Sequence, residues 1–132
     1  MIRVLCIKTG KALDMNYSDF EYMRCAAAMK YCPEFGRLYC EIFDVFGHFV
    51  SSHKSWDNNI PHINELVSCG KLPACILDFF FSSDLEGEID SNVCRLLYQK
   101  LKDDSSKTVG GVGGLNLLLK DCVENDSGLA WL

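Results

Sequence analysis

The sequence lacks the motifs that would assign it to several common functional classes. It has no C-x-x-C pair, and seven residues separate Cys32 from Cys40, whereas zinc modules use roughly two to four. The stretch "VGGVGG" lacks the Lys-Ser/Thr of a P-loop. Basic residues number 13 against 18 acidic ones, so the formal net charge of −5 is opposite to that of most nucleic-acid binders. These absences argue against a metal site of zinc-module type, a P-loop and direct contact with nucleic acid.

Long hydrophobic runs are also absent. The longest apolar run is too short to span a bilayer, and "MIRVLCIKTGK" has neither a seven-residue apolar core nor a small-residue cleavage site. We therefore expect no membrane contact and no signal peptide, and a cytoplasmic location. Hydrophobic residues make up 48% of the 132 residues, which is typical of a globular chain. This predicts one domain, residues 1–132, with a flexible linker at about 103–114.

Cysteine, by contrast, is abundant, with eight residues. Because no export signal is expected and the chain is long enough for a core, disulfides are not needed for stability. Most of the cysteines stand within apolar patterns, as Cys25 does beside Ala26 and Cys122 beside Val123. We interpret them as reduced, buried side chains that act as small hydrophobes.

Hydrophobic periodicity predicts a mainly α fold of about six helices with a small β element. "IRVLCI" reads as a strand because it is apolar and β-branched. Ser18 and Glu21 form a capping-box pattern for a first helix that ends near Tyr31. Along this helix, Tyr22, Cys25, Ala26 and Met29 form one stripe. A second helix is predicted over 37–50 from its apolar stripe, which is Leu38, Ile42, Val45, Phe46 and Phe49.

The middle of the chain is predicted to open with a polar loop, "SSHKSWDNN". Asn59 can cap a third helix, with Pro61 in its first turn, where a missing amide costs nothing. Ile63, Leu66 and Val67 would face inward, and Gly70 is the expected stop. Residues 72–81 are compatible with a short helix or a strand, and Pro73 and Ala74 favour the helix.

The C-terminal part is predicted to contain two more helices and a strand. Asp90 or Ser91 can cap the fifth helix, whose inward face is Val93, Leu97 and Leu101. A sixth helix follows from the spacing of its apolar residues, which are Leu115, Leu118, Leu119, Cys122 and Val123. The ending "LAWL" reads as a strand, and we expect it to pair with the N-terminal strand.

The stretch "SSDLEGEIDSNVC" concentrates negative charge in what reads as a turn. Four acids alternate with Leu85, Gly87 and Ile89. An EF-hand loop needs Gly at its sixth position and Glu at its twelfth; counted from Asp84, these are Ile89 and Arg95, so we expect no bound calcium. A catalytic carboxylate pair would need a partly dry site, whereas a turn with alternating acids is expected to be solvated. The remaining interpretations are a solvated helix entrance and a surface for a basic partner.

Three consecutive phenylalanines precede this acidic turn. A helix cannot bury Phe79, Phe80 and Phe81 on a single face, so the pattern leaves two interpretations open. Either the segment is buried all round, or a phenylalanine is exposed beside the acids. An apolar patch with a charged rim is typical of protein–protein interfaces.

The run "SSDLEGEIDSNVCRLLYQKL", followed by a linker and "LNLLLKDCVENDSGLAWL", resembles a family of small bacterial proteins with an S-D-x-E-G-E turn. The resemblance covers about two-fifths of the chain. Its matching residues are Ser83, Asp84, Glu86, Gly87, Glu88, Cys94 and Leu97. Such proteins are similar to the immunity proteins of polymorphic toxin systems, including contact-dependent growth inhibition. The resemblance implies a toxin inhibitor with neither catalysis nor a cofactor, whose target has a basic surface and is often a nuclease.

The sequence therefore leads us to expect an immunity protein that binds and neutralises a cognate toxin in the cytoplasm. The alternatives are a regulatory or adaptor domain that binds another partner and a metal-dependent enzyme that uses the acidic turn. The expected partner-binding residues are Asp84, Glu86, Glu88, Asp90, Phe81 and Trp56. No catalytic residue and no metal ligand are expected.

Overall fold

A computed structural model describes residues 1–43, 52–83, 85–103 and 112–132, with the backbone only for Phe43 and residues 52–56. The described part contains six α-helices and one four-stranded antiparallel sheet. The helices are α1 (Tyr17–Tyr31), α2 (Pro33–Phe43), α3 (Ser52–Ser68), α4 (Leu77–Phe81), α5 (Ser91–Leu101) and α6 (Gly113–Glu124). The strands are β1 (Ile2–Cys6), β2 (Ala12–Met15), β3 (Gly87–Ile89) and β4 (Leu129–Trp131). The predicted mainly α class is confirmed.

The sheet joins the two ends of the sequence. Its strand order is β2-β1-β4-β3, and Val4 lies opposite Trp131 in the central pair. The predicted pairing of the N- and C-terminal strands is therefore confirmed, while β2 and β3 were not predicted. Alternate side chains along each strand point to the same face of the sheet. On one face they are buried, since Ile2, Val4 and Trp131 are almost fully covered. The helices pack against this covered face, as the contacts of Phe20 and Phe79 with Trp131 show.

The first helix begins at a different cap from the predicted one. Asn16 has an extended backbone, and its Oδ1 accepts from the Asp19 amide at 2.7 Å, so Asn16 and not Ser18 is the N-cap. The end at Tyr31 is confirmed. Of the predicted stripe, Cys25 is buried, Tyr22 and Ala26 are half-buried, and Met29 is exposed. The buried face consists of Phe20, Met23, Arg24, Cys25, Ala27, Ala28 and Tyr31. This face is broader than a simple stripe because α1 packs on α2, on α5 and on the sheet.

The second helix starts earlier than predicted, at Pro33 rather than Arg37. Proline suits a first helical position because it has no amide to leave unpaired. Leu38 and Ile42 are buried as predicted. The predicted end of this helix, with Val45, Phe46 and Phe49, lies outside the described residues.

The predicted loop over 51–59 is wrong, because α3 already begins at Ser52. Asn59 does not cap a helix but lies within α3, where its Nδ2 donates to Leu38 O at 3.1 Å and to Glu41 Oε2 at 2.8 Å. Pro61 consequently lies inside the helix. Packing against α2 therefore overrides the polar composition of this segment. The predicted stop is confirmed, since Gly70 has a positive φ of 83° just past the helix.

The C-terminal half follows the predictions more closely. Residues 74–76 form a 3₁₀ turn that continues into α4, which confirms the helix for 72–81. Asp90 Oδ1 accepts from the Val93 amide at 2.9 Å, so Asp90 is the predicted cap of α5. The predicted linker extends too far, since Gly113 and Gly114 belong to α6; residues 104–111 lie outside the described part.

Candidate partner-binding surface

Part of the acidic segment is a strand at the edge of the sheet, not a turn. Gly87–Ile89 pairs with β4, and Glu88 lies opposite Ala130. Ile89 is buried on the covered face, whereas Glu86 and Glu88 are exposed. The signal was available in the sequence, because the acids alternate with Leu85, Gly87 and Ile89, and a period of two is typical of a strand. The charge of the acids concealed that periodicity.

The glycine of the S-D-x-E-G-E pattern has a specific packing role. Gly87 lies opposite Trp131, and a Cβ at position 87 would stand 2.2 Å from Trp131 Cζ2. Any side chain there would displace the indole, so only glycine fits beneath it. The indole also holds the start of the segment, because Trp131 Nε1 donates to Ser83 O at 2.8 Å. Ser83 and Gly87 thus both lie against the side chain of Trp131, which comes from β4.

A buried arginine fixes the chain just before the acids. Arg24 is only 1% exposed, and its guanidinium donates to the carbonyls of Phe80, Ser82 and Ser83 at 2.9–3.2 Å. It also stands 3.7 Å from the Glu21 carboxylate. These bonds satisfy carbonyls at and beyond the end of α4, which the helix itself leaves without partners. The sequence analysis missed this role, and the one available signal is a cation within the otherwise small and apolar "MRCAAA".

The exposed carboxylates of the segment differ in what they contact. Asp90 is exposed but holds the α5 cap. Glu86 and Glu88 form no ion pair with any described residue. Asp84 lies outside the described residues. The uncompensated negative charge in the described segment is therefore that of Glu86 and Glu88.

The two aromatic candidates lie in the helical part of the molecule. Phe79 and Phe80 are fully buried, while Phe81 is half-buried, with its ring 5.5 Å from that of Tyr39. Phe81 also lines a groove between α3 and α4, together with Ile60, Ile63, Asn64, Leu77, Asp78 and Ser82. Trp56 belongs to α3 and not to a loop, and its side chain lies outside the described part. Phe81 thus contacts the helical layer, whereas Glu88 lies on the sheet.

The thiols are free, and they occupy several environments. Cys6, Cys25, Cys94 and Cys122 are buried, whereas Cys69 is exposed. A hydrogen bond with Cys40 and burial raise the pKa of Cys25, and contact with Cys94 and burial raise that of Cys122. These buried thiols are therefore protonated and poorly nucleophilic at neutral pH. Within the described ranges, no three His, Cys, Asp or Glu side chains are placed to hold a metal ion.

Comparisons with family models, with curated proteins and with solved structures found no match to this chain. None of the described helices combines the length and apolarity that crossing a membrane requires. The functional interpretation therefore depends on the surface chemistry described above and on the motif resemblance.

Proposed function

We propose that this chain is an immunity protein, which binds and neutralises a cognate toxin domain in the cytoplasm of the cell that makes both. The main support is a pair of exposed carboxylates: Glu88 lies on β3, whose position is fixed by buried side chains, and Glu86 lies just before it. Those carboxylates have no cation beside them among the described residues, so they are available to a basic partner. The S-D-x-E-G-E resemblance points to the same class of protein.

A nuclease toxin is the kind of target that suits this charge. A nuclease binds phosphates with basic side chains, and an inhibitor of net charge −5 is attracted to such a surface. Complementary charge accelerates association and selects the correct partner. Speed matters for an immunity protein, because the toxin must be neutralised before it reaches its substrate.

The anchoring of the segment also favours a binding role. Arg24 and Trp131 hold the carbonyl of Ser83, and Trp131 packs over Gly87. A segment that is already positioned loses little conformational entropy when a partner docks, so more of the contact energy becomes affinity. The buried residues Arg24 and Trp131 thus act as positioning residues for the acidic segment.

The test is the double variant Glu86→Lys/Glu88→Lys, assayed against the product of the gene immediately upstream of this one. Because both side chains are exposed, we expect an unchanged helical circular dichroism spectrum and melting point. Protection of cells that express the upstream product should be lost. The association rate of the purified proteins should fall, and binding by the unaltered chain should weaken as salt rises.

The matched control is Glu65→Lys/Glu124→Lys, which shifts the formal net charge by the same amount, from −5 to −1. Glu65 and Glu124 are exposed near the C-terminal ends of α3 and α6, where a lysine suits the helix dipole. We expect this control to protect cells. If the unaltered chain neither binds the upstream product nor protects against it, the proposed function is wrong, and a regulatory or adaptor role becomes the better interpretation.

A further inference from the structure

On the face of the sheet that no described helix covers, the two central strands carry apolar residues where water-exposed strands are normally polar. Antiparallel sheets with one solvated face usually alternate apolar and polar residues along each strand. In β1 and just after it, the outward positions beyond Arg3 are Leu5, half-buried, and Ile7, 44% exposed. In β4 and just after it, they are Ala130, half-buried, and Leu132, 65% exposed.

The strand register brings these residues together. Leu5 lies opposite Ala130, and Leu132 exchanges backbone hydrogen bonds with Arg3 at 2.9 and 3.0 Å. Ile7 donates its amide to Gly128 O, and its Cδ1 lies 3.2 Å from the position that a Cβ on Gly128 would occupy. Apart from Arg3, the outward side chains on these two strands and just after them are thus apolar and lie next to one another in register. We call Leu5, Ile7, Ala130 and Leu132 the open-face stripe.

The charges beside the open-face stripe are unequal on its two sides. On the β2 side, Arg3 and Asp14 neutralise one another through a 2.7 Å ion pair. On the β3 side, Glu88 lies directly opposite Ala130, and Glu86 precedes it by two residues. Since neither glutamate is paired within the described chain, this side carries net negative charge. A partner that fits the whole face needs an apolar patch bordered on one side by basic groups.

A second copy of this chain does not meet that requirement. Two copies would each bring a net charge of −5 and the same unpaired glutamates to the contact. Such self-repulsion opposes association. A basic protein, by contrast, gains both from the glutamates and from covering the stripe.

We propose that the toxin domain docks on the open face of the sheet, with its apolar contact on the open-face stripe and its basic side chains against Glu86 and Glu88. This inference depends on the proposed function. It adds which surface binds the toxin domain and what the stripe and the glutamates each contribute. The stripe is buried on binding and slows dissociation. The glutamates at its edge accelerate association.

The test measures association and dissociation rates of the upstream gene product with the variant Leu5→Thr/Ile7→Thr, in which both new side chains are β-branched and suit an extended backbone. We expect affinity to fall about tenfold or more, mainly through faster dissociation, with the salt dependence of association unchanged. Glu86→Lys/Glu88→Lys should show the converse pattern. If Leu5→Thr/Ile7→Thr is poorly folded, Leu132→Gln tests the same stripe at a residue that lies just past β4.

The control variant is Met29→Gln/Leu117→Gln, which removes two exposed apolar side chains from helices α1 and α6. It should bind normally; an equal loss in this control would overturn the proposal. If the unaltered chain binds and protects while the stripe variants also bind normally, the docking surface is wrong but the proposed function stands. No binding by the unaltered chain would overturn both. Sedimentation showing a dimer that Leu5→Thr/Ile7→Thr dissociates would assign the face to a second copy instead.

Discussion

The two faces of the sheet are built from the same strands, yet they have opposite environments. On the covered face, Val4 and Trp131 are at most 1% exposed and contribute to the core. On the open face, Ile7 and Leu132 are 44% and 65% exposed although they are equally apolar. Hydrophobicity alone therefore does not decide which apolar side chains are buried; the position of the helices does. The covered face stabilises the fold, and we propose that the open face binds the partner.

The acidic strand shows the same division within three residues. Ile89 is buried and Gly87 lies beneath an indole, so both serve packing. Glu88, between them, is exposed and serves no described intramolecular contact. We expect substitutions at inward positions to change stability, and substitutions at outward positions to change binding. The effect on stability should therefore decrease from Trp131 to Gly87 and then to Leu5.

The largest effect is expected for Trp131→Ala. It removes the largest fully buried side chain among the described residues, leaves a cavity against Phe20 and Phe79, and deprives Ser83 O of a donor. The free energy of unfolding should fall by about 3–5 kcal/mol, as is typical of buried Trp→Ala changes. Urea denaturation followed by circular dichroism measures it. Trp131→Phe, which keeps a ring, should lose clearly less, and a loss below about 1 kcal/mol for Trp131→Ala would contradict the packing described here.

A smaller loss is expected for Gly87→Ala, because the added methyl group collides with the Trp131 indole. Overpacking of this kind costs about 1–3 kcal/mol, again measured by urea denaturation. The two positions should be coupled: in a Trp131→Ala background the collision partner is absent, so Gly87→Ala should cost little or nothing further. Additive losses would show that Gly87 is required for another reason.

The smallest effect is expected on the open face. Leu5→Thr should lower the free energy of unfolding by less than about 1 kcal/mol, because its half-buried side chain lies on the face away from the helices. The neighbouring Val4→Thr is the matched comparison. It places a hydroxyl on the covered face, at 0% exposure, and should cost about 1–3 kcal/mol. Equal losses at the two positions would abolish the distinction between the faces.

The sequence predicted elements whose signal is local and strong. The strand at the N-terminus, the Asp90 cap, the helical stripe of α6 and the stop at Gly70 were all recognised from spacing or from residue type. Predictions failed where a distant contact decided the outcome. Asn59 lies inside a helix because its amide group binds α2, and β3 forms because β4 supplies its hydrogen-bonding partner.

The sequence by itself determined the class of fold, the net negative charge and the exposed character of Glu86 and Glu88. Periodicity and charge are properties of short segments, so they can be read before the chain is folded. Only the tertiary structure decided that Glu88 lies on a strand, that Arg24 and Trp131 hold the carbonyl of Ser83, and that Leu5, Ile7 and Leu132 share one open face. Each of these depends on residues that are far apart in sequence, and such pairings arise only when the two ends of the chain meet in one sheet.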